Sequence, residues 1–168
     1  MSYFFKLLAC AVAAVLAAQT VAFAAEDKGE SKAEMALKNR HGAPTPSQID
    51  AKVTLDAMLS KSTKDAWPKD TAARVEGVVV QVESEPDGDA HVVLASPGNE
   101  TDTKHWVIVE VTKASRAKNA AFATNSLKAM HGKKVAVTGW LYYEPDDDSD
   151  DPRGTRWEIH PVTSIQAE

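Results

Sequence analysis

The chain has 168 residues, with 24 acidic against 19 basic side chains and a formal net charge of −5. That length suits one domain of ordinary size, and the acidic balance disfavours a protein that holds nucleic acid mainly through its phosphates. The single cysteine, Cys10, excludes a disulfide-stapled miniature fold and a thiolate metal centre, so stability has to come from a packed core.

Residues 1–24 read as a secretory signal peptide. Lys6 precedes an unbroken apolar run, Leu7 to Ala18, and Ala22-Phe23-Ala24 puts small residues where a signal peptidase reads them, with cleavage after Ala24. The run is too short to cross a hydrocarbon core of about 30 Å, and it continues past Cys10, which argues against a lipoprotein. Cleavage removes Lys6 and no acid, so the net charge moves to −6. No transmembrane segment is expected in the mature chain, and a periplasmic or secreted location is.

Residues 25–50 carry Lys, Glu, Gly42, Pro44 and Pro46 and few apolar side chains, the composition of a flexible polar leader. The folded domain is expected over residues 51–168. It opens with a short helix over Thr54 to Lys61. Thr54 is its N-cap, Val53 and Met58 form a hydrophobic staple, and Leu55, Met58 and Leu59 share one side.

From Ala73 the pattern turns to strands. Arg74 to Glu83 is rich in valine on both parities. That predicts a long first strand serving two sides of a barrel, with Gly77 marking a bulge or bend. Glu85-Pro86-Asp87-Gly88 is a turn. His91 to Ala95 and His105 to Thr112 are the second and third strands. Between Arg116 and His131 the period changes, with Ala120, Ala123, Leu127 and Met130 at helical spacing and Gly132 as the terminating residue. Val135 to Tyr143 and Arg156 to Ile165 supply the last two strands. In the fourth, Val135, Val137 and Leu141 lie on one face, with Trp140 and Tyr142 on the other.

The order is β-β-β-α-β-β with a short helix in front, which is the order of the OB fold, an all-β five-stranded Greek-key barrel. The runs Val137-Thr138-Gly139-Trp140-Leu141 and Trp157-Glu158-Ile159-His160-Pro161-Val162-Thr163 resemble a group of exported bacterial proteins of unknown function with an OB-like core. The resemblance spans roughly Thr71 to Ile165. It implies the fold and the compartment and brings no catalytic residues.

Two acidic segments are the first candidates for chemistry. Six of the eight residues from Glu144 to Asp151 are acidic. Clustered carboxylates suit a hard cation such as calcium, and Asp146, Asp148 and Asp150 are the candidate ligands. EF-hand spacing fails, because Asp151 stands where glycine is required and Trp157 where the closing Glu is. The plain alternative is a solvated hairpin loop. The second segment, Glu83 to Asp102, holds six acids and no Lys or Arg. In an OB fold the loops joining strands one to two and four to five flank the ligand face. Glu85, Asp87 and Asp89 would then share an acidic rim with the later loop. Such a rim repels phosphates and favours a small cation or a basic peptide or protein.

Trp140 and Tyr142 are candidates for an exposed stacking platform, against the alternative that they pack on the short helix near Leu55 and Met58 or close a barrel end. His91, His105 and His160 could hold zinc if they converged, which their spacing does not decide. Lys104, Lys113, Arg116, Lys118, Lys128, Lys133 and Lys134 face Glu110 alone between positions 104 and 134, the pattern of a solvated basic helix face. There is no Gly-x-Ser-x-Gly and no His-Glu-x-x-His. The reading is therefore a non-catalytic exported binding module, with a metal-dependent phosphoesterase or nuclease-like hydrolase as the alternative and single-strand binding behind both.

Overall fold

The computed structural model describes residues 31–40, 42–145 and 152–168. Five strands, β1 (Ala72–Ser84), β2 (Ala90–Ala95), β3 (Trp106–Val111), β4 (Lys134–Tyr143) and β5 (Trp157–Ala167), close into a barrel in the order β1-β2-β3-β5-β4. All neighbours are antiparallel except β3 and β5, which meet in parallel at Val109 and Ile159. This is the OB-like barrel that the element order predicts. Strand β1 does serve two sides: up to Val78 it pairs with β4, and from Val78 onward with β2.

The interior follows the two-residue period of the strands. Val75, Val79, Val92, Leu94, Val107, Val109, Val111, Val135, Val137, Leu141 and Ile159 point inward, and all are essentially inaccessible. Among the described residues, four short helices lie around the barrel: α1 (Lys32–Lys38), α2 (Leu55–Ser60), α3 (Lys113–Lys118) and α4 (Thr124–Lys128). Helix α2 starts as expected, with Thr54 accepting from Ala57 N, and it buries Leu55 and Met58. Among the described residues no helix is long and apolar enough to cross a membrane.

Two local expectations are corrected. The bulge in β1 falls between Val79 and Gln81, not at Gly77. Gly77 is instead a place of close approach, since a Cβ there would stand 2.7 Å from Leu55 Cδ1 and 3.0 Å from Ala95 O. The single helix expected over Arg116 to His131 is broken into α3, a tight turn at Ala120–Phe122 and α4. Asn119 is extended and its side chain accepts from Ala121 N, a local bond that competes with helix continuation. The break turns Phe122 into the core at 4% exposure, a residue that lies off the Ala120/Ala123/Leu127 stripe. Gly132, with φ +74, then leads into β4 as expected.

Candidate functional site

The outward face of β2, β3 and β5 carries a group of charged side chains. Because Val92, Val109, Val111 and Ile159 point into the core, their neighbours in sequence, His91, Glu110, Glu158 and His160, point out. Register then brings them together. His91 is the direct cross-strand partner of Glu110. The parallel pairing of Val109 with Ile159 sets Glu110 beside Glu158 and His160. Although this is the outer face, Glu110, Glu158 and His160 are 7%, 2% and 3% exposed. Charges so far from water persist only when paired with one another.

The pairing alternates in sign. His91 Nδ1 lies 3.5 Å from Glu85 Oε1, and its Nε2 lies 3.3 Å from Glu110 Oε2. The same Glu110 oxygen is 3.0 Å from His160 Nδ1, which is also 3.7 Å from Glu158 Oε2. Arg153 closes the chain by donating to Glu158 Oε1. Burial by itself would lower both imidazoles. Glu110 outweighs it, with help from Glu158 and, for His91, Glu85, and raises His91 to about 9 and His160 to about 10. Burial alone would raise Glu110, but the two imidazoliums hold it well below the usual carboxylate range.

Asp89 brings the β1–β2 loop to the edge of this group. Its Oδ1 accepts from Lys113 N at 2.6 Å at the start of α3. Burial, and then the neighbouring Glu110, push its carboxyl up to about 6 despite that bond. The loop is well fixed: Asp87 Oδ1 accepts from Asp89 N, Glu85 O accepts from Gly88 N, and Arg116 donates to the carbonyls of Gly88 and Asp89. One oxygen of Asp89, one of Glu110 and one ring nitrogen of His160 all lie within 4.8 Å of one another, a spacing from which a metal ion could be held.

The residues singled out from sequence divide into three sets. Glu85, Asp87 and Asp89 do stand in the β1–β2 loop beside the cluster. Trp140 and Tyr142 do face outward on β4, but they are covered at 9% and 3% exposure. The Arg40 guanidinium lies 4.7 Å over Trp140, whose Nε1 donates to Gly42 O, and Lys38 lies over Tyr142 while pairing with Glu144 at 2.9 Å. Asp146, Asp148 and Asp150 lie outside the described residues. Of the three histidines, His91 and His160 converge, whereas His105 pairs with Asp102 at 3.7 Å and is 43% exposed. Glu110, Glu158 and Arg153 were not singled out as site residues. The available signal was a lone acid inside the apolar run Trp106–Val111 and the alternation of Glu158 and His160 with Ile159.

No protein-family model matches the chain, and no curated protein matches its sequence. What fold and site define together is a closed OB-like barrel whose outer β2-β3-β5 face carries a buried carboxylate and imidazole cluster rimmed by the β1–β2 loop.

Proposed function

We propose that this protein is an exported OB-like binding module whose ligand is a cation or a cationic partner, taken up beside the β1–β2 loop. The observation that carries this reading is the run of carboxylates in that loop, Glu85, Asp87 and Asp89, set in front of Glu110 and Glu158, which are themselves paired with His91, His160 and Arg153. The face is the one OB folds commonly use for ligands, and the loop carboxylates at its rim attract positive groups. Lys6, the apolar run after it and Ala22-Phe23-Ala24 support export, with a mature chain that begins at Ala25.

The test is thermal melting and calorimetric titration of the mature protein with calcium, spermine and an oligolysine peptide. At least one of these raises Tm, the effect shrinks with added salt, and Asp87→Asn weakens it. Equal binding by the Asp87→Asn variant, or no response to any cation, overturns the reading. Turnover of a phosphodiester in the presence of divalent ions would replace it with the hydrolase alternative. Export is checked on the protein recovered from expressing cells, since a mature mass still including residues 1–24 would refute the signal peptide.

A further inference from the structure

Building on the cation-binding reading, we infer that Asp89, Glu110 and His160 form a site for a divalent transition-metal ion of borderline hardness, zinc being the type case. The donor set is two carboxylates and one imidazole, brought within 4.8 Å of one another by three separate elements, the β1–β2 loop, β3 and β5. Bonds of about 2.1 Å in a tetrahedral arrangement place ligand atoms roughly 3.4 Å apart. His160 Nδ1 and Glu110 Oε2, at 3.0 Å, are already close to that separation, and both sit on adjoining strands. Asp89 is the adjustable member, on a loop and only partly buried.

A second feature points the same way. The His160 side chain is 4% exposed, and its Nδ1 lies beside Glu110 without completing a hydrogen bond; Glu158 Oε2, in a side chain 3% exposed, likewise has no hydrogen-bond partner. Buried polar atoms are ordinarily satisfied. A nitrogen fixed this deep and aimed at carboxylates is placed as a metal ligand would be, the incoming ion taking the place of the proton that Glu110 otherwise holds on it.

The chemistry of the donors selects the ion. Calcium takes six to eight oxygens, and magnesium keeps most of its water, so neither gains from an imidazole. Sulfur-seeking ions lack a thiolate. One nitrogen with two oxygens suits zinc, cobalt or manganese. Neighbouring groups hold the carboxylate donors in place: His91 Nε2 lies 3.3 Å from Glu110 Oε2, and Lys113 N donates to Asp89 Oδ1. With three protein ligands, a tetrahedral ion would take its fourth ligand from water or a bound molecule.

The competing account of these atoms is an ion network bridged by protons alone. The two separate when chelator-treated protein is titrated with Zn(II), Co(II) and Ca(II), reading Tm, calorimetric heat and Co(II) visible absorption. Zn(II) and Co(II) bind at least tenfold more tightly than Ca(II), and Co(II) gives a tetrahedral-type absorption band. Asp89→Asn, which leaves the His91–Glu110–His160 contacts in place, lowers zinc affinity at least tenfold with little change in the metal-free Tm. His160→Gln abolishes the Co(II) band; should it fail to fold, Asp89→Asn carries the test. A His105→Ala and His131→Ala double variant, altering exposed histidines, retains zinc binding. Equal zinc affinity in Asp89→Asn, absence of the band, or loss of binding in the double variant overturns the inference. Calcium or oligolysine binding without zinc binding sinks this inference and spares the binding module, whereas no response to any cation sinks both.

Discussion

Replacing Glu110 with Gln tests the reading of the buried cluster most directly. In the native protein, Glu110 is the carboxylate shared by His91 and His160, at 3.3 and 3.0 Å. Glutamine keeps the shape and removes the charge, leaving two buried cations with only Glu85 and Glu158 to balance them. Breaking a buried ion pair from one side costs about 3–5 kcal/mol. The lower figure is expected here, because the amide still offers one acceptor. At roughly 4 °C per kcal/mol for a domain of this size, Tm falls by roughly 12 °C at neutral pH.

The pH profile, measured with chelator present, is the sharper readout. In the native protein His91 and His160 are raised to about 9 and about 10. Groups raised above the unfolded value of about 6.5 contribute stability that is complete below that pH and is lost as pH climbs through 9 and 10. Asp89, raised to about 6, adds a smaller loss as pH rises from 4 to 6. Glu110 itself, held low, adds stability that disappears only in strong acid. In Glu110→Gln the main cause raising the imidazoles is gone, and burial, which lowers them, is left facing Glu158 and Glu85. The alkaline loss therefore shrinks, and a new loss appears as pH falls from 7 to 5, where buried neutral imidazoles have to charge. Urea melts at half-unit pH steps would show this change of sign. A variant profile parallel to the native one, or a loss under 1 kcal/mol at pH 7, would refute the assignment of Glu110 as the common partner.

Four further substitutions test the packing and the backbone. Leu127→Ala removes a fully buried side chain from α4 and costs about 2–5 kcal/mol by chemical denaturation. Gly139→Ala places a Cβ 2.5 Å from both Pro161 O and Ile159 Cγ2, where backbone has to move, and costs about 3 kcal/mol or more. Gly98→Ala, at φ +89 with nothing within 4 Å, costs only about 1–2 kcal/mol, and the reverse ranking of these two glycines would contradict the geometry. Arg40→Ala removes the guanidinium over Trp140 and its bonds to Lys69 O and Leu141 O. It should cost about 1 kcal/mol and raise acrylamide quenching of the Trp140 emission, read in a chain whose other tryptophans are replaced by Phe. Unchanged quenching would mean that the segment before residue 50 does not shield that ring.

The strands were legible because their signals are local. Alternating valines mark inward positions, Gly132 and Glu85–Gly88 mark the turns, and a helical period between the third and fourth strands fixes the order of a barrel. The break at Asn119 was hidden, because two alanines, a leucine and a methionine at helical spacing look like a face, whereas the energy lies in burying Phe122. The site was half legible for a related reason. His91, His160 and Asp89 each stand out as polar residues, and the β1–β2 loop was expected beside the ligand face. Their meeting point was not visible, because it depends on two registers far apart in the chain, His91 against Glu110 and Val109 against Ile159. Glu110 entered the sequence reading only as the single acid among seven basic residues. The stronger clue was its place in Trp106–Val111, where every other side chain is apolar. A charge in such a strand is costly unless something opposite repays it. Had that cost been taken as a demand for partners, the histidines of the flanking strands would have been the first residues to try. Glu158 and His160, alternating with buried Ile159 in β5, would have answered it.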